Sequence, residues 1–247
     1  ESRAGVRLVS EVTIAGAMVC TLGGCLTHSQ AAKVVDPQLR ELGAKLERAG
    51  GRRGGFVLGD YTFERRALRR TSDAEATTGL LPNGQQRPSE RMVLELVMTT
   101  PTRTWEGKCE AIREPTGRFD YAAGSDEFYD LVQVDCSFSA ANAETWNLAL
   151  QGSLDNNLAA ALKPRAPLSK GDALSVEVLL WRTFWGRVRR HTPEPVAQVR
   201  AGKRAIAAML LARPEHAWVA KHAPPIQLEV AMVALGALRM LPLGFEG

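Results

Sequence analysis

Apart from one N-terminal stretch, no part of this chain is apolar enough to engage the core of a bilayer. That stretch, Val12–Cys25 (VTIAGAMVCTLGGC), is uncharged and apolar or small throughout. It is shorter than the roughly 20 residues a spanning helix needs. Catalytic signatures are missing as well. There is no Gly-x-Ser-x-Gly elbow, no His-Glu-x-x-His helix, no dinucleotide fingerprint and no Cys-x-x-Cys pair. Arg52-Arg53-Gly54-Gly55 lacks the Gly-Lys-Ser/Thr ending of a phosphate loop. Histidine is scarce, at His28, His191, His216 and His222, and the six-residue step between the last two suits neither one helical face nor a zinc knuckle. These absences give no cofactor and no metal an evident place, and they leave no catalytic residue to name.

What is present describes an ordinary globular domain. The 247 residues are 45% hydrophobic and 23% charged, enough to bury a full core without a second domain. A net charge of +4 is too small to point to nucleic acid. No internal repeat or low-complexity tract interrupts the chain.

The N-terminal stretch closes on Leu22-Gly23-Gly24-Cys25. A Leu three residues before a Cys, with two small residues between, resembles the lipobox of bacterial lipoproteins. The resemblance implies that residues 1–24 act as a signal-peptide-like segment and that Cys25 is alkylated with diacylglycerol. Small residues let a peptidase reach an extended backbone, and the run suits the apolar region of a secretory signal. Polar residues 25–35 then act as a tether to a single β-rich domain over 36–247. On this reading Cys20 leaves with the signal, and Cys109 and Cys136 remain. An even number of cysteines in an exported chain reads as a disulfide. Two reduced core thiols are the alternative.

The order of elements follows from periodicity. Asp36-Pro37 opens a helix, with Asp36 as cap and Pro37 at the first helical position. Leu39, Leu42 and Leu46 form its stripe, and Gly50-Gly51 ends it. From Phe56 the period becomes two. Strands are expected at Phe56–Leu58, around Tyr61 and Phe63, and over Met92–Met98. Thr71–Glu90 is read as a loop. In Thr104–Ala111 and Leu131–Ser139, Cys109 and Cys136 both fall on the apolar face of their strands. The segment between them, Glu114–Asp130, reads as a turn-rich loop. Further strands are expected at Thr145–Gln151, Leu158–Leu162, Ala173–Trp181, Arg204–Arg213 and Ala217–Ala220. Ile226–Leu241 reads as a C-terminal helix. The expected class is α+β and β-rich, an antiparallel sandwich or half-barrel flanked by an N-terminal and a C-terminal helix.

Two stretches bear on function. In Trp181–His191 (WRTFWGRVRRH), the aromatic residues Trp181 and Trp185 interleave with Arg182, Arg187, Arg189 and Arg190. Aromatic planes beside guanidinium groups hold sugars and phosphates by stacking and charge. An anionic glycan or an envelope protein is the partner class this implies. Asp126, Glu127 and Asp130 form an acidic group in which an enzyme would find a general acid and base. The leading expectation is a non-enzymatic, lipid-anchored protein of the bacterial envelope, in the periplasm or at the outer membrane, with a binding or scaffold role. An envelope hydrolase working near residues 126–130 is the second reading. A cytoplasmic or complex-bound subunit that keeps its apolar N-terminal segment is the third.

Overall fold

The computed structural model describes residues 32–51, 54–73, 89–120, 125–153, 158–164, 174–180, 195–211 and 216–243. Among the described residues twelve strands make one closed antiparallel barrel: β1 Ala44–Gly50, β2 Gly55–Leu58, β3 Tyr61–Asp73, β4 Ser89–Thr99, β5 Thr104–Asp120, β6 Ser125–Ala140, β7 Trp146–Ser153, β8 Leu158–Pro164, β9 Leu174–Leu180, β10 Pro195–Ala201, β11 Arg204–Leu210 and β12 His216–Val219. Each strand pairs with its neighbours in sequence, and β1 closes the ring on β12 through Ala44↔Val219 to Glu47↔His216. The chain is β-rich and antiparallel, as its alternating segments require. It is a barrel with no free sheet edge between β1 and β12, not two facing sheets.

The C-terminal helix, α2 (Pro225–Met240), does not flank this barrel; it fills it. Val230 through Leu235, Ala237 and Leu238 are fully buried. They belong to one core with the inward residues of opposite walls, among them Phe63, Leu94, Val134, Val199 and Met209. A helix apolar all round must be enclosed on every side, and a twelve-strand barrel is wide enough to enclose it. Full burial of Val230, Met232, Val233, Leu235 and Leu238 stabilises the fold by about 10 kcal/mol, taking roughly 2 kcal/mol for each side chain. That is comparable to the whole stability of an ordinary domain.

The fit is close at Gly236. A methyl group added there would meet the Phe63 ring at 2.3 and 2.5 Å. Phe63 cannot simply swing away, because it stacks on Phe56 with centroids 4.5 Å apart. Gly236→Ala should therefore destabilise by about 1–3 kcal/mol through overpacking, despite the better helix propensity of alanine. Gly236→Ala combined with Phe63→Leu should recover part of that loss in urea unfolding. Strictly additive costs would show that the two side chains do not meet.

The N-terminal helix is shorter than its leucine spacing suggests. Helix α1 spans Pro37–Leu42 and stops at Gly43, and Leu46 lies in β1. Gly43 has no room for a side chain: a Cβ would stand 2.3 Å from the Leu39 carbonyl and 2.9 Å from that of Val219. Asp36 caps α1 by accepting from the N–H groups of Gln38 and Leu39. Ala32–Val34 forms a 3-10 turn, and the buried Val35 and Leu39 pack with Val196, Ala208, Leu210 and Trp218 on the outside of the wall. Residues 32–35, read from sequence as the end of a polar tether, are thus part of the packed domain. This cover also explains why β10 and β11 are buried on both faces over Pro195–Val199 and Ala205–Leu210. A polar chain of contacts fixes α1 in place. Gln198 accepts from the Asp36 N–H and donates to Glu177, while Arg200 donates to both Glu177 and Asp36.

Elsewhere the outer wall is charged. Glu64, Arg66, Arg69, Glu106, Lys108 and Asp135 are exposed along β3–β6. A bilayer-spanning barrel carries an apolar outer band instead, so the described wall has the opposite polarity. Among the described residues no helix is long and apolar enough to cross a membrane.

Candidate functional site

Cys109 and Cys136 are directly opposite in the β5–β6 ladder, with Cα atoms 4.0 Å apart, and form a disulfide. Both sulfurs belong to the barrel core, in register with Leu94 on β4 and Leu148 on β7. The strands they join form the floor of an outer groove of about 730 Å³ that runs across β3–β7. Its charges alternate in sign: Arg69, Arg91 and Lys108 against Glu95, Glu110 and Asp135. Arg91 Nε lies 2.7 Å from Glu110, and Gln133 donates to Asp135 at 2.8 Å. A groove balanced in this way suits a mixed polar protein surface better than a polyanion.

The barrel end at which α2 enters holds the most concentrated polar chemistry. Glu229, in the second turn of α2, is only 6% exposed. Its Oε2 accepts from the indole N–H of the buried Trp105 at 2.9 Å and stands 2.8 Å from Arg103 Nε. Its Oε1 accepts from the Thr102 hydroxyl at 2.7 Å, with the Thr100 hydroxyl at 3.5 Å. The β4–β5 turn presents these donors because Thr100 Oγ1 itself accepts from the backbone N–H groups of Thr102 and Arg103. A carboxylate occupied by this many donors is a fastener for the helix, not an acid or base waiting for substrate. Among the described residues no group of His, Cys, Asp and Glu could hold a metal ion.

Tyr61 sits beside this cluster. Burial first, then the charges of Glu229 and Asp60, push its phenol above the usual tyrosine range. The folded state therefore holds the proton more tightly than the unfolded chain, which releases it near pH 10. Stability from this group is complete below about pH 10 and is lost as pH rises through the raised folded value. Urea midpoints at pH 8.5 and 10.5 should fall less in Tyr61→Phe than in the parent. Equal falls would remove Tyr61 as the cause.

Several residues singled out in the sequence take a different place. Asp126, Glu127 and Asp130 are not in a turn-rich loop. Their backbone continues β6, paired with Phe119, Arg118 and Pro115 of β5, and the ladder runs to Asp120↔Ser125. Trp181, Arg182, Trp185, Arg187, Arg189 and Arg190 lie outside the described residues, as does Cys25. His216 is in β12, and His222 is exposed in the connection to α2. Glu229 was missed in the sequence, although a single carboxylate within the apolar run Ile226–Leu238 was a visible signal.

The fold and its site define the class as an antiparallel β-barrel filled by its own C-terminal helix. No protein-family model, curated protein or solved structure matches the chain.

Proposed function

We propose that this chain is a lipid-anchored protein of the bacterial envelope, held by Cys25, whose barrel serves as a binding or scaffold module. The Cys109–Cys136 disulfide carries the reading. Such bonds persist in oxidising compartments and are rare in the cytosol. The lipobox-like Leu22-Gly23-Gly24-Cys25 supplies the route of export and the anchor. Two features favour binding over catalysis. The barrel interior is occupied by α2 rather than open to substrate, and the best-formed buried carboxylate is committed to structural donors. The outer groove over β3–β7 is the surface for an envelope protein, and the tryptophan–arginine sequence Trp181–Arg190 supplies the residue types that would take an anionic glycan.

Intact mass of the native protein from its own membrane fraction, taken with and without reductant, tests the reading. The expected mass starts at an acylated Cys25 and rises by two hydrogens on reduction. A mass that includes residues 1–24 with no shift on reduction would overturn both anchor and compartment. It would favour the subunit of a membrane-associated assembly instead.

A further inference from the structure

A second cleft, of about 540 Å³, lies between α1 and the β10–β11 and β12–α2 connections. Lys203, Arg204, Lys221 and His222 line it. Among the described residues no ion pair compensates Lys203, Arg204 or Lys221. The one carboxylate in the lining, Asp36, already bonds Arg200 and the first N–H groups of α1. Leu42, at the end of α1, joins this lining with 70% of its surface exposed. Fixed cations beside an exposed leucine match a lipid surface, where phosphate meets acyl chain.

We propose that this cleft docks the phosphate headgroup of an anionic phospholipid, with Leu42 entering the boundary of the acyl region. The proposal rests on the anchored reading for its geometry. Residues 26–31 separate Cys25 from Ala32, so the 3-10 turn leading into α1 stays within about 25 Å of an acylated Cys25 even if the link is fully extended. Helix α1, which forms one wall of the cleft, is therefore tethered within reach of the membrane surface. The two acyl chains of a diacylglyceryl anchor hold the chain at the membrane, and the cleft orients the domain upon it.

The test uses the full chain carrying Cys25→Ser, which cannot be acylated, in sedimentation with vesicles. Vesicles of phosphatidylglycerol and phosphatidylcholine are compared with phosphatidylcholine alone. Parent and cleft variants share the N-terminal run and the Trp181–Arg190 stretch, so the change in anionic preference between them reports the cleft. Binding is expected to favour the anionic vesicles and to fall at high salt. Lys203→Gln, Arg204→Gln and Lys221→Gln together should weaken the anionic preference roughly 100-fold, with unfolding midpoints unchanged because all three side chains are at the surface. Leu42→Ser should weaken binding to both kinds of vesicle without altering the anionic preference or its salt dependence. An anionic preference equal in parent and triple variant overturns the proposal. So does complete displacement by millimolar inorganic phosphate, which would assign the cleft to a soluble phosphate compound. Failure of the anchor shows separately, as an unprocessed N-terminus in the native mass, and leaves this vesicle contrast to decide the cleft.

Discussion

Glu229→Ala is expected to lower the unfolding free energy by about 3–5 kcal/mol, the cost of breaking a buried ion pair from one side. The indole N–H of Trp105, fully buried, would lose its acceptor, and an orphaned buried donor alone costs about 1–3 kcal/mol. Arg103 has a side chain 30% exposed, so it can recover part of its hydration. Thr102 would lose its short bond as well. Glu229→Gln keeps the shape and one acceptor, and should cost less than the alanine variant. Urea unfolding of both, with Arg103→Ala, forms the test. A cost below about 1 kcal/mol for Glu229→Ala would mean that apolar packing alone seats the helix.

Removing the disulfide should cost nearly as much. Replacing Cys109 and Cys136 together by Ala frees a loop of sequence separation 27. In the chain-entropy account this destabilises by about 3.5 kcal/mol, or roughly 10 °C in Tm for a domain of this size. The register should survive, because the β5–β6 ladder runs unbroken from Trp105↔Ala140 to Asp120↔Ser125. Calorimetry of the oxidised parent, the reduced parent and the double variant measures the effect. A double variant that melts with the oxidised parent would show that the ladder needs no staple.

Much of the barrel wall was legible in the sequence. Trp105, Gly107, Cys109 and Ala111 alternate with charged or polar neighbours because one face of β5 meets the core and the other meets water. The same contrast exposed β6, β7 and β9. It failed where the contrast is faint. In Pro195–Ala201 only Gln198 and Arg200 mark the outer face, part of which lies under α1, so the alternation is too short to stand out as a strand. Leu46 continued a helical spacing by coincidence; α1 ends where Gly43 turns extended and Ala44–Glu47 pair with β12. Closure of β1 on β12 and entry of α2 into the interior are long-range events with no local signature. The disulfide was legible because both cysteines fell on inward positions. The Glu229 cluster was not, since its donors stand more than 120 positions away.

The filling of the barrel by α2 also orders events in time. The helix that completes the core lies at Pro225–Met240, and the seam that closes the ring joins β1 to β12. The seam cannot form until synthesis has passed Val219, nor the core be filled until it has passed Met240. Early strands must wait with their apolar faces uncovered, and contacts of such long sequence separation place folding in the slow regime of milliseconds to seconds or beyond. Such a chain remains aggregation-prone until α2 arrives, so that helix governs the yield of folded protein as well as its stability.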